Sequence, residues 1–173
     1  MDKQELARRI KAVAYLEGDF VLRSGRRSKY YMDKYLFETQ PDILAELGKL
    51  FAQRVAASGA EVIAGPELGA VALAAATSMA SGKPFAIVRK AKKDYATGKL
   101  VEGTPVTGKN VLLVEDIGTT AGAALEAADV LRQAGANILG LCFVINREEG
   151  ARENVEKAGY KFDALFNKTD LGL

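Results

Sequence analysis

The chain has 173 residues, with 24 Lys and Arg against 22 Asp and Glu, a net charge of +2, no His and one Cys. That length suits one compact domain, and that balance gives no reason to expect non-specific nucleic-acid binding. The lack of His excludes Ser–His and Cys–His catalysis and any His-ligated metal site, which leaves Asp, Glu, Lys and Tyr as acids and bases and oxygen-bound hard ions as metals.

Leu6, Ile10 and Val13 lie on one face of a helix predicted over residues 3–16, which Glu17-Gly18-Asp19 ends. Residues 20–33 read as two short strands around Ser24-Gly25-Arg26. Pro41 and Asp42 open a second helix with a stripe of Ile43, Leu44, Leu47, Leu50, Phe51 and Val55, closed by Gly59. A strand at 61–64, the turn Gly65-Pro66-Glu67-Leu68-Gly69, an Ala-rich helix at 70–80 and a strand at 85–88 follow. Residues 91–109 form a polar interruption with no sustained period, a length that marks functional loops. Strand 111–114, helix 120–134, strand 138–145, helix 151–158 and strand 162–166 complete the chain. Strands and helices alternate, and the strands are continuous apolar runs. The fold class is therefore α/β, a doubly wound and mostly parallel sheet in one domain, 1–173.

The charged N-terminus has no signal-peptide core and no apolar stretch has the length of a membrane span, so a cytoplasmic protein is expected. Cys142, inside an apolar run, reads as an inert small hydrophobe. Gly103 to Asn110, G-T-P-V-T-G-K-N, departs from a Walker A loop at its last position and precedes a strand instead of a helix, so it reads as a turn.

Chemistry concentrates in N-V-L-L-V-E-D-I-G-T-T-A-G-A-A-L, residues 110–125. An apolar strand delivers Glu115 and Asp116 to the carboxyl edge of the sheet, where doubly wound folds bind ligands. Gly118, Thr119, Thr120 and Gly122 then let amides and hydroxyls approach an anion at a helix N-terminus. Two carboxylates beside a phosphate cradle suit a ribose phosphate. The alternative is a strand–turn–helix with polar caps.

The stretch V-E-D-I-G-T-T-A-G resembles the phosphoribosyl pyrophosphate (PRPP) signature of type I phosphoribosyltransferases. Three segments narrow the resemblance to the orotate branch of that family: F-V-L-R-S-G-R-R-S-K-Y-Y-M-D, R-K-A-K-K-D-Y-A-T-G-K-L-V-E-G and N-R-E-E-G-A, at 20–33, 89–103 and 146–151. The resemblance implies a small N-terminal hood, about residues 1–40, that contributes to the base site. It implies PRPP contacts from Arg89, Lys90, Lys93, Glu115, Asp116, Ile117, Gly118, Thr119, Thr120, Ala121, Gly122 and Ala123. Thr119, Arg147, Tyr30 and Tyr31 would meet orotate, and the catalytic group would be Lys93, Asp116 and Arg23. It further implies a diphosphate loop at 65–69, Mg2+ held mainly by substrate oxygens, and a homodimer sharing the mobile loop. For Tyr30 and Tyr31, ordinary strand packing stays open beside base contact, since alternation sends one ring inward and one outward.

Three positions depart from the family's pattern: Tyr95 where a loop His is usual, Leu68 where some members have Lys, and Ala121 in place of Gly. Two other functions fit the phosphate signature. One is transfer to another base such as a purine, which needs no Arg147 clamp. The other is a non-catalytic PRPP-sensing regulator, for which residues before Gly18 leave no room for a DNA-binding domain.

Overall fold

In a computed structural model, which describes residues 1–22, 25–90 and 98–173, the apolar runs become the middle of a six-stranded sheet. Ahead of it, α1 (Lys3–Ala14) starts at Asp2, whose side chain accepts from the Glu5 amide at 2.7 Å. The helix stops two residues before the expected Leu16. Tyr15 and Leu16 instead enter β1 (Tyr15–Val21), which pairs antiparallel with β2 (Arg27–Met32). The segment expected to break the helix, Glu17-Gly18-Asp19, is absorbed by a register irregularity between Glu17 and Phe20. α2 (Lys34–Glu38) has no counterpart in the sequence reading. It is five residues long, and its one local signal is Asp33, which accepts from the Tyr35 amide at 3.1 Å.

α3 (Pro41–Ser58) carries Pro at its start and closes on Gly59 at φ 75°, as expected. Then come β3 (Val62–Pro66), α4 (Gly69–Ser81), β4 (Phe85–Val88), β5 (Val101–Gly103), β6 (Asn110–Gly118), α5 (Gly122–Gln133), β7 (Asn137–Asn146), α6 (Ala151–Lys157) and β8 (Phe162–Asn167). A 3-10 turn, Lys168–Leu171, follows. The strand order is β5-β4-β3-β6-β7-β8, and every pairing except β4 with β5 is parallel. The polar interruption therefore contains an edge strand, β5, whose three residues are too few to show a period. Gly103 to Asn110 is a turn into β6, with the Lys109 amide on Val106 O at 3.0 Å.

Helices cover both faces, and the strands alternate between two cores. Leu112 and Val114 of β6 join Ile10, Phe37, Leu47, Phe51 and Leu73 on one side. Val111 and Leu113 join Leu131, Phe143 and Val155 on the other. Gly65 lets α4 close onto β3: a side chain there would begin 2.5 Å from Ala70 O. From β3 the chain winds outward through α4 to β4, and from β6 it winds the opposite way through α5 to β7. The switch point lies between the carboxyl ends of β3 and β6, where such sheets open a crevice.

Candidate active site

β6 continues past its apolar run, so Glu115 and Asp116 lie inside the strand, 8% and 4% exposed. Asp116 Oδ2 meets Lys34 Nζ of α2 at 2.8 Å, and its Oδ1 accepts from the Ile117 amide at 2.6 Å. Glu115 Oε1 accepts from the Asp116 amide at 3.0 Å. Glu38, one helical turn beyond Lys34, is 2% exposed, and its Oε1 has no hydrogen-bond partner among the described residues. Three carboxyls thus share one ammonium in a buried corner. Burial and then the Asp116 charge push both Glu38 and Glu115 up to about 8. Burial pulls Lys34 down, but the attraction of Asp116 outweighs it and holds the ammonium above its ordinary value. Gly69 opens α4 directly against this corner. A methyl group there would lie 2.5 Å from Asp116 Oδ2 and 2.9 Å from Glu38 Oε2.

Beyond Asp116 the chain forms the cradle. Gly118 ends β6 packed so closely that a side chain would begin 3.1 Å from the Phe143 ring. Thr119 and Thr120 are exposed, and Ala121 takes the left-handed conformation, φ 64° and ψ 19°, as the residue before α5. No side chain caps α5, so the first amides, from exposed Gly122 and Ala123 onward, remain available to an anion. The loop is held from behind: Asn154 Nδ2 donates to Thr120 O at 2.9 Å, and the Arg147 amide donates to Gly118 O at 2.9 Å.

At the end of β4, the Arg89 amide donates to Leu100 O at 2.7 Å and the Lys90 amide donates to Glu67 Oε1 at 2.6 Å. Lys90 is therefore tied through its backbone to Glu67 of the 65–69 turn, and Arg89 to Leu100, just before β5. Arg23, Lys93 and Tyr95 lie outside the described residues.

The hairpin supplies the remaining wall. Tyr30 stacks on Tyr15 with centroids 5.5 Å apart, and its hydroxyl accepts from Arg147 Nη2 at 3.0 Å. Arg147 also meets Glu149 at 3.2 Å, while its Nε is buried with no hydrogen-bond partner among the described residues. A guanidinium held at one end with a spare donor is arranged for a planar anion. Tyr31 instead is 41% exposed and lies 5.7 Å from the Phe20 ring. The structure thus brings Tyr30 to Arg147 and leaves Tyr31 on the other side of the hairpin, as alternation requires.

Lys34, Glu38, Glu149 and Asn154 are the residues sequence reasoning missed. Lys34 and Glu38 carry a faint signal, a charged pair at i, i+4 following a capping Asp. Glu149 and Asn154 carry none that separates them from surface polar residues.

A sheet with this switch point, an uncapped helix N-terminus and two buried acids at its mouth invites comparison with known proteins. The model of the phosphoribosyl transferase domain matches residues 37–164. The chain belongs to the phosphoribosyltransferase family. Its curated relatives place it in the orotate branch. It is 46% identical over 156 residues to the orotate phosphoribosyltransferase of Pyrococcus horikoshii, covering 89% of this chain and 84% of that one. Among solved structures, orotate phosphoribosyltransferase of Mycobacterium tuberculosis in complex with Fe(III) dicitrate superposes with a TM-score of 0.91 at 33% identity, covering 100% of both chains. The same enzyme in complex with PRPP gives 0.86 at 32% identity, again with 100% of both chains covered. The hairpin and α1, which precede the family match, are thus shared with these structures. No helix among the described residues is long and apolar enough to cross a membrane.

Proposed function

We propose that the protein transfers the phosphoribosyl group of PRPP to orotate, giving orotidine 5′-phosphate and diphosphate, in pyrimidine biosynthesis. The observation that carries this reading is Arg147, held against Tyr30 with its buried Nε unspent among the described residues, at the same sheet edge as the cradle. A neutral base offers that donor only an uncharged acceptor, whereas a carboxylate makes the shorter and stronger charge-assisted bond. The relatives' names support the same reaction.

The roles follow from position and charge. Residues 118–123 and the α5 N-terminus take the 5-phosphate, and Glu115 and Asp116 take the ribose hydroxyls. The 65–69 turn with Arg89, Lys90 and Lys93 takes the diphosphate, whose departure builds negative charge that cations offset. Thr119, Arg147 and Tyr30 orient orotate, with Tyr31 at the rim of the hairpin and Arg23 near the reaction centre. A site closed to water would protect the ribosyl cation from hydrolysis. Mg2+ would come bound to the substrate's phosphate oxygens. The donors at the edge are carboxylate oxygens, the type such an ion takes, but Asp116 is committed to Lys34 and the Ile117 amide. An ion there would be held mainly through substrate oxygens and would offset charge on the diphosphate. A hood of about residues 1–40 belongs to the base site of a single domain. A homodimer in the cytoplasm, with the mobile loop shared between subunits, completes the proposal.

An absorbance assay with PRPP and Mg2+ tests it. Orotate is consumed if the reading is right. Turnover of adenine or hypoxanthine with orotate untouched would sink it.

A further inference from the structure

The corner beneath Asp116 holds more than the transfer reaction uses. Glu38 lies at the end of α2, 2% exposed, with one oxygen unpartnered among the described residues. Both its oxygens, Oε2 and Oε1, and Asp116 Oδ2 converge on the same point, the place where a Gly69 side chain would begin, at 2.9, 3.1 and 2.5 Å. Two carboxylates cannot share that space as anions without strong repulsion, whereas an acid and a carboxylate form a short charge-assisted hydrogen bond. Lys34 Nζ closes the group from the solvent side at 2.8 Å from Asp116 Oδ2. Asp116 is thus gripped by two residues of one short helix that packs against the start of α4.

We propose that Glu38 is a positioning residue for phosphoribosyl transfer: it donates a hydrogen bond to Asp116 and, with Lys34, fixes that carboxylate at the junction of the ribose and diphosphate sites. The inference rests on the assignment of Asp116 to the ribose. Glu38 does not touch substrate. It acts through Asp116 and through Gly69, whose backbone leads into the diphosphate turn. The charged groups facing Glu38 are Asp116 and Glu115 from β6 and Lys34 from its own helix. α4 presents the backbone of Gly69. α1 and α3, also packed on α2, share its apolar core through Leu6, Ile10, Phe37 and Ile43. Their ion pair, Arg9 with Asp42, is exposed. With Glu38 and Glu115 protonated, Lys34 balances Asp116 and the corner is neutral. Loss of the Glu38 proton, raised to about 8 by burial and Asp116, puts a second anion beside Asp116 and loosens the grip.

The test is the pH profile of kcat/KM for PRPP in wild type, Glu38→Gln, Glu38→Leu and Lys34→Met, with folding followed by thermal denaturation. Glu38→Leu loses roughly 10- to 100-fold in kcat/KM for PRPP, the usual cost of removing a supporting hydrogen bond, with the KM for orotate unchanged. Glu38→Gln, an uncharged donor of the same shape, restores most of that loss near pH 7. Its activity falls less steeply above about pH 8 than that of wild type, because one ionisation is gone. If Glu38→Leu does not fold, Glu38→Gln and Lys34→Met carry the test, Lys34→Met raising the KM for PRPP. A Glu38→Gln profile with the wild-type alkaline limb, or a folded Glu38→Leu with wild-type kcat/KM, would overturn the inference. Wild type that transfers nothing to orotate would instead defeat the reading of the site.

Discussion

The two sides of the sheet's carboxyl edge are built by opposite means. The cradle at 118–123 is backbone: small residues, exposed threonines and an uncapped helix start, all within one short segment. The base wall and the corner under Asp116 are side chains from distant places. Tyr30 reaches Arg147 across 117 positions, and Lys34 and Glu38 reach Asp116 from a helix before the sheet begins. On the proposed assignment, the difference teaches that phosphate recognition rests on local chain geometry, while recognition of the base and alignment of the ribose rest on how residues 15–38 pack onto the sheet. Changes in the hood should therefore damage base choice and alignment more than phosphate affinity.

The largest expected effect is at Arg147. Arg147→Met removes the charged donor, takes the hydrogen-bond donor from the Tyr30 hydroxyl and leaves Glu149 with Arg26 alone among the described residues. It lowers kcat/KM for orotate by roughly 100-fold, about 3 kcal/mol, the upper range for a hydrogen bond to a charged group. Steady-state kinetics should show PRPP binding little changed. A matching loss for PRPP would erase the distinction between the two regions.

Gly69→Ala comes next. Its new methyl would lie 2.5 Å from Asp116 Oδ2, so the carboxylate or the turn must shift. Overpacking of this kind costs about 1–3 kcal/mol. Denaturant unfolding should show the loss, and the KM for PRPP should rise while that for orotate holds.

A pH effect on stability sharpens the same corner. Glu38 and Glu115 are held near 8 in the folded protein, against 4.5 for a free glutamate side chain. The folded state therefore binds more protons between these values than the unfolded chain does. Their contribution to stability is fully present below about pH 4.5 and is lost as pH rises through about 8. The melting temperature should fall over that window, and Glu38→Gln should flatten the fall. A wild-type melting temperature that rises from pH 5 to pH 8 would mean that these acids are not held neutral.

The smallest effect belongs to the cradle. Ala121 occupies a left-handed conformation, φ 64°, with its methyl buried. Ala121→Gly relieves about 1 kcal/mol of backbone strain but gives up about 0.8 kcal/mol of methyl burial. Unfolding free energy should change by less than about 1 kcal/mol, and PRPP affinity should stay near wild type.

This contrast also explains what the sequence disclosed. The strands of the sheet other than β5 were legible because they are largely apolar runs, and the cradle because its acids, threonines and glycines are contiguous. Arg147 was found through its neighbours in N-R-E-E-G-A, again a local pattern. α2 was not, because five residues make little more than one turn and the partner that gives Lys34 and Glu38 their meaning lies near position 116. The boundary of α1 was missed for a similar reason. Tyr15 has no local cause to leave a helix, but pairing with Met32 draws it into β1. The sequence left Tyr30 and Tyr31 equivalent, and only the packing of Tyr30 against Tyr15 and Arg147 separates them.

The central claim is that a guanidinium with a buried, unspent Nε selects an anionic base. A competition between orotate and uracil, which lacks the carboxylate, for limiting PRPP and Mg2+ tests it most directly. The account predicts that orotidine 5′-phosphate forms in preference to uridine 5′-phosphate by about 10⁴ or more, the discrimination expected when the wrong ligand strands a buried polar group. Comparable yields of the two nucleotides would contradict it.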